Sequence, residues 1–134
     1  MKTFEKILFA IAFIVAFAGI AGIAPGVATI ALLIFAAIYL FSGWFLLLPG
    51  KGETEKWLPF LVSYLIAQTL VTEIFGINQW PLKETFSYVT LIMVLVAIIV
   101  LFFNKKSLSR NYPFNEYMVR LIVCFMFSGA PLWL

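Results

Sequence analysis

The sequence predicts an all-α integral membrane protein, a helical bundle of five transmembrane helices forming a single domain over residues 1–134. Two observations on composition support this fold class. The chain is 64% hydrophobic and 11% charged, whereas a soluble domain is roughly half apolar and about a quarter charged. A domain this small cannot hide so much apolar surface in its own core. The third observation is the grouping of the apolar residues into five long segments, so the expected solvent of the helices is lipid.

The first two segments, about residues 7–24 and 27–48, predict a helical hairpin. Each is close to the roughly 20 residues that a helix needs to cross a bilayer. Pro25 and Gly26 interrupt the helix between them without adding charge, and so short a connection makes the two helices antiparallel. Small residues recur at helical spacing and let helices approach closely in lipid. They are Ala12, Ala16, Gly19, Ala28, Ala31 and Ala36.

A cleaved signal peptide is the competing interpretation of the first segment, because Ala16-Phe17-Ala18 matches a small-residue cleavage pattern. Glu5 interrupts the basic start that a signal peptide requires, and the apolar run continues beyond that site. We therefore favour a membrane-spanning helix.

Two further segments, about residues 58–75 and 86–103, predict the third and fourth helices. Pro59 falls in the first turn of the third helix, where its missing N–H costs little. The fourth segment is almost entirely aliphatic or aromatic, so we expect it to face lipid over much of its circumference.

The last segment, residues 114–134, predicts a fifth helix with charges near its start. Glu116 and Arg120 are four positions apart and are expected to form an ion pair along one helix face. Ser128-Gly129-Ala130-Pro131 then interrupts the uncharged part. The segment either spans the membrane or lies partly in its interface, and we favour a span.

The distribution of basic residues predicts the orientation of the chain. Cytoplasmic loops of membrane proteins carry an excess of Lys and Arg. With five spans, only Lys83 lies on the side opposite the N-terminus. The N-terminal side collects Lys2, Lys6, Lys51, Lys56, Lys105, Lys106 and Arg110. We therefore expect a multi-pass protein of the bacterial inner membrane with a cytoplasmic N-terminus and an external C-terminus.

The composition also limits the chemistry. The chain has no His and no Asp, which excludes a Ser-His-Asp triad, His metal ligands and a paired-Asp site. The single cysteine, Cys124, lies in an apolar run and is expected to be a small buried hydrophobic residue. We therefore predict no catalytic, metal or cofactor site and no enzyme activity. The basic residues are scattered over loops, so no nucleic-acid partner is expected.

Polar residues on the third helix form the candidate site. Tyr64, Gln68 and Thr72 follow each other at spacings of four and so share one stripe, with Thr69 and Glu73 on its flank. Such a stripe is expected to face other helices or a cavity rather than lipid tails. It is either a hydrophilic path or cation site, or a set of interhelical hydrogen bonds, each worth about 0.6 kcal/mol on average.

Glu73 is the only carboxylate within the third apolar segment. Ionisable groups at membrane depth are costly, which makes Glu73 a candidate functional residue. It lies roughly 24 Å along the helix from Trp57, at about 1.5 Å per residue. We expect it near the outer boundary of a hydrocarbon core about 30 Å thick, where it can reach water.

The chain also looks internally doubled. Glu5-Lys6-Ile7-Leu8, a span, a turn and a second span are echoed by Glu55-Lys56-Trp57-Leu58 and the next two spans. Both copies start on the same side of the membrane, so this pattern predicts a parallel repeat of helical hairpins. Chance similarity between two hairpins in lipid is the alternative.

The outer turn after the third helix resembles a known motif. Gly76-Ile77-Asn78-Gln79-Trp80-Pro81 and the following span resemble the Gly…His-Trp-Pro-Gly turn of small Bacteroidetes membrane proteins, among them the membrane subunit of the gliding-motility and type IX secretion motor. The resemblance covers this turn and its flanking helices. In that family an intramembrane Glu is implicated in coupling proton flow to rotation, and Glu73 is the only comparable residue here.

These observations favour a small non-enzymatic membrane protein that acts as a subunit or scaffold of a membrane assembly. Its expected partners are the lipid bilayer and either another membrane protein or further copies of itself. The alternative is a small transporter or ion-conducting oligomer that uses the polar stripe and Glu73.

Overall fold

The structure, a computed structural model, describes residues 3–41, 57–78, 81–103 and 114–129. These residues form five α-helices and no strand, which confirms the all-helical fold class for this part of the chain. The helices are α1 (Thr3–Ile20), α2 (Pro25–Phe41), α3 (Trp57–Ile77), α4 (Lys83–Phe103) and α5 (Phe114–Ser128). The predicted extensions of the second and fifth spans, over 42–48 and 130–134, lie outside the described residues.

Successive helices run in opposite directions, so the bundle has two ends. Tyr39, near the end of α2, donates a hydrogen bond to Glu5 near the start of α1. Ser63, near the start of α3, donates to the backbone carbonyl of Tyr39. At the opposite end, Ser87 in α4 donates to the backbone carbonyl of Ser128 in α5. We call the end with Glu5 the basic end, after the charge pattern of the sequence, and the other the turn end.

The turn between α1 and α2 explains why α1 ends at Ile20 rather than near residue 24. The N–H of Gly22 bonds the carbonyl of Gly19 at 3.1 Å, and the N–H of Ile23 bonds the carbonyl of Ala18 at 2.9 Å. This pair of bonds is a Schellman motif, which requires a left-handed residue after the helix, and Gly22 has a φ of 86°. Pro25 then begins α2, where a missing N–H costs nothing.

Helix α3 is the central element, because it contacts all four other helices. The predicted small residues bring α1 close to α2 and to the end of α3. A Cβ atom at Gly19 would lie 2.5 Å from Cδ1 of Ile77 and 3.0 Å from Cβ of Ala28. The other buried small residues on α1 and α2 are Ala12, Ala16 and Ala36.

The outward faces of the helices are apolar. Two helical stretches, Phe60–Ile77 and Lys83–Phe103, are long and apolar enough to cross a membrane by length and composition, while α2 and Tyr117–Ser128 are apolar but shorter. The structure thus shows the helical fold, whereas the crossing of a membrane by all five helices stays a prediction. Large exposed apolar side chains occur on every helix, for example Phe17, Ile34, Phe60, Ile99 and Met126.

Candidate functional site

The predicted polar stripe of α3 meets α4 through a small hydrogen-bonded cluster. The side-chain amide of Gln68 donates to Oγ1 of Thr90 at 3.3 Å, and the hydroxyls of Thr72 and Thr90 are 2.8 Å apart. Thr72 also donates to the backbone carbonyl of Gln68 at 2.9 Å. Thr72 and Thr90 are fully buried, and Gln68 is partly buried. This part of the stripe therefore joins two helices.

The remaining stripe residues point elsewhere. Tyr64 is 36% exposed and lies on the outer surface of the bundle, not in its interior. Thr69 is fully buried and donates to the backbone carbonyl of Leu65 at 2.8 Å, with the thiol of Cys124 beside it. The predicted stripe is thus divided between the surface, the α3–α4 contact and the interior, and does not form one continuous path.

Glu73 lies inside the bundle rather than at a water-accessible boundary. Its side chain is completely buried, one turn beyond Thr69 on α3. Among the residues that the structure describes, neither of its carboxylate oxygens has a hydrogen-bond partner. Leaving a buried polar group without a partner costs roughly 1–3 kcal/mol, and more for a charged group. Among the described buried side chains, Glu73 is therefore the one whose burial costs free energy without a compensating hydrogen bond.

A second buried carboxylate, Glu5, is fully compensated. Nε of Arg120 lies 3.1 Å from Oε1 of Glu5, and Nη2 of Arg120 bonds Oε2, so the ion pair is bidentate. The Tyr39 hydroxyl donates to the same Oε1 at 2.8 Å. The guanidinium also lies 5.4 Å from the centre of the Phe9 ring, within cation–π distance. Helices α1, α2 and α5 thus meet at this cluster, which we call the Glu5 cluster.

The positions of these groups follow from helical spacing. Arg120, Cys124 and Ser128 lie four residues apart on α5 and are all buried, so they form its inward face. Glu5 lies in the first turn of α1, where a negative charge also interacts favourably with the helix dipole.

The expected ion pair between Glu116 and Arg120 stays a prediction. The side chain of Glu116 lies outside the described residues, whereas Arg120 contacts Glu5 directly. Sequence reasoning missed Glu5, Tyr39 and Thr90 because spacing within one helix says nothing about pairing between helices. A usable signal did exist, since Glu5 and Arg120 carry opposite charges at the same predicted end of the bundle.

The outer turn is described only in part. Gly76 is buried at the end of α3 and Pro81 is exposed before α4, while Trp80 lies outside the described residues. Asn78 connects this region to α2, because its side-chain amide donates to Oγ1 of Thr29 and to the carbonyl of Ile74, both at 2.9 Å. The turn thus fixes the ends of two helices to each other.

The described residues contain no group of three or more His, Cys, Asp or Glu side chains that could hold a metal ion. Within the described part of the chain, the geometry provides a set of interhelical polar contacts and one buried carboxyl group, that of Glu73, without a partner. No protein-family model, no curated protein and no solved structure matches the chain.

Proposed function

We propose that the chain is a small non-enzymatic, multi-pass membrane protein that serves as a subunit or scaffold of a membrane assembly. The observation that carries this proposal is its polarity pattern. The outward faces of the described helices are apolar, whereas Glu5, Glu73 and Arg120 are buried between helices. A soluble bundle has the opposite arrangement, with polar residues on its outer surface.

The polar contacts of the interior support a structural role. The Glu5 cluster links three helices, and the cluster of Gln68, Thr72 and Thr90 links α3 to α4. Because these groups bond each other, they hold helices together rather than binding a ligand. The apolar outer surface is then the main area through which the protein contacts lipid and lateral partners.

Membrane fractionation combined with a topology reporter tests the proposed class. We expect the protein to stay with the membrane after alkaline carbonate washing, and a reporter fused after Leu134 to be active outside the cytoplasm. Reporters placed after residues 50 and 107 should be cytoplasmic, in keeping with the charge asymmetry. Release of the protein by carbonate would contradict the membrane assignment, and a cytoplasmic signal after Leu134 would contradict the five-span topology.

A small transporter or ion-conducting oligomer is the second candidate function, and Glu73 favours it. A buried carboxyl group without a partner is unusual in a purely structural bundle, and ionisable residues at membrane depth often mark a transport path.

The substitution Glu73→Gln separates the two functions. It keeps the size of the side chain and removes its ability to ionise. In a scaffold, the native mass of the assembly in mild detergent and its co-purifying proteins are unchanged. In a transporter, ion flux into proteoliposomes is lost. Glu84→Gln is the matched control, because Glu84 is exposed in the first turn of α4.

A further inference from the structure

One strip of α3 is only partly covered by the other described helices, although α3 is the central helix. Each residue of an α-helix is rotated by about 100° from the one before it, and on this basis the residues of the strip fall within an arc of about 100° around the helix axis. Phe60 is 58% exposed and Tyr64 is 36% exposed, and the others are partly exposed. We call this surface the α3 strip; it consists of Phe60, Leu61, Tyr64, Gln68, Val71 and Phe75.

The α3 strip contains hydrogen-bonding capacity that its own chain does not use. The amide nitrogen of Gln68 donates to Thr90, but nothing in the described part of the chain donates to its carbonyl oxygen. Only the carboxylate oxygens of Glu73 are both buried and unpartnered among the described residues, so the free oxygen of Gln68 reaches the bundle surface. One turn earlier, no hydrogen bond is made by the Tyr64 hydroxyl to any described residue.

The depth of Gln68 makes this free oxygen significant. The residue lies roughly 16 Å along α3 from Trp57, near the middle of a hydrocarbon core about 30 Å thick. Neither lipid tails nor water can satisfy a carboxamide at that depth, and Gln is one of the side chains that hydrogen-bond across helices in membranes. The structure therefore leaves one donor and one acceptor of Gln68 for a neighbouring helix.

We propose that the α3 strip is the docking surface for a second copy of this chain, with the Gln68 amides of the two copies hydrogen-bonded to each other at the interface. This inference rests on the proposed function as a membrane subunit and names its partner.

A second copy is the occupant that the chemistry favours, because a carboxamide is both donor and acceptor and so is complementary to itself. Copies inserted with the same orientation are related by a two-fold axis along the membrane normal, which places the same residues opposite each other. Gln68 lies at the midpoint of the strip, so two α3 helices that cross at Gln68 also bring their Tyr64 side chains together.

Energy transfer between fluorescently labelled copies in phosphatidylcholine vesicles tests this proposal. We expect the wild type to dimerise, and Gln68→Leu to weaken the dimer about threefold to tenfold through the loss of two interhelical hydrogen bonds. Thr90→Val is the matched control. It removes the internal partner of Gln68 but leaves the outward amide in place, so the dimer should persist.

Disulfide cross-linking gives an independent measurement in which Gln68 is retained. In a Cys124→Ala background, Tyr64→Cys should form an interchain disulfide on mild oxidation. Ile7→Cys should not, although Ile7 is 55% exposed on α1 at a similar distance from the basic end. An inserted wild type that is monomeric, or equal cross-linking at both positions, overturns the inference alone. A chain that fails to insert overturns the proposed function as well.

Discussion

The carboxylate of Glu5 and the guanidinium of Arg120 form a buried bidentate ion pair although 115 positions separate them in the chain. Tyr39 donates a third hydrogen bond, so the pair has the additional contacts that a buried ion pair needs to repay its desolvation. Closer to the turn end, the Phe13 and Phe127 rings lie 4.9 Å apart between the same two helices. The first and last described helices are therefore joined by both charged and aromatic contacts.

Removing one partner of this ion pair should strongly destabilise the bundle. We expect Arg120→Met to cost about 3–5 kcal/mol, because Tyr39 would be the only described residue still bonded to the buried charge of Glu5. Reversible unfolding in mixed micelles, followed by circular dichroism, measures this loss.

The double variant Glu5→Leu with Arg120→Met provides the control for the ion pair. Since it removes both charges together, it should be more stable than Arg120→Met alone by at least about 1 kcal/mol. Equal stability of the single and double variants would contradict a direct interaction between the two side chains.

Replacing Glu73 by an apolar residue of similar volume should stabilise the protein. Glu73→Met removes two buried oxygens that have no partner among the residues the structure describes, and we expect a gain of about 1–3 kcal/mol. The same unfolding measurement applies, with Glu84→Met at the exposed start of α4 as the comparison. A loss of stability in Glu73→Met would mean that the carboxyl group has a favourable contact.

Thr90 should contribute to the packing of α4 on α3 through its two side-chain hydrogen bonds. Thr90→Val keeps the shape of the side chain and removes the bonds to Gln68 and Thr72. At an average of about 0.6 kcal/mol per interhelical bond, the expected loss is about 1 kcal/mol. Thr85→Val, at an exposed position of the same helix, should leave the unfolding free energy unchanged.

Two glycines should respond in different ways to the same substitution. Gly19→Val would place side-chain atoms against Ile77 and Ala28 and should cost about 1–3 kcal/mol. A Cβ atom at Gly26 would meet nothing within 4 Å, so Gly26→Val should change stability by less than about 0.5 kcal/mol. Similar melting temperatures for the two variants would contradict the close approach of α1 to its neighbours.

The helical fold class could be predicted from the sequence because the lengths of the apolar segments and the positions of helix-terminating Pro and Gly residues are local properties. The stripe of Gln68 and Thr72 was found in the same way, since residues four apart share a helix face. The contact of Arg120 with Glu5 could not be found by spacing, because Glu5 lies on another helix. The burial of Glu73 was missed for a related reason: depth along α3 gives the distance from an interface but not which helices surround the residue.

The Glu5 cluster also has a consequence for the order of synthesis. Ribosomes add roughly 5–20 residues per second, so Glu5 is made about 6 to 23 seconds before Arg120. During that interval the first hairpin can offer Glu5 only the Tyr39 hydroxyl. The nascent helices therefore hold Glu5 without its guanidinium partner until α5 is made, and a chain interrupted before Arg120 differs from the finished bundle by that missing ion pair.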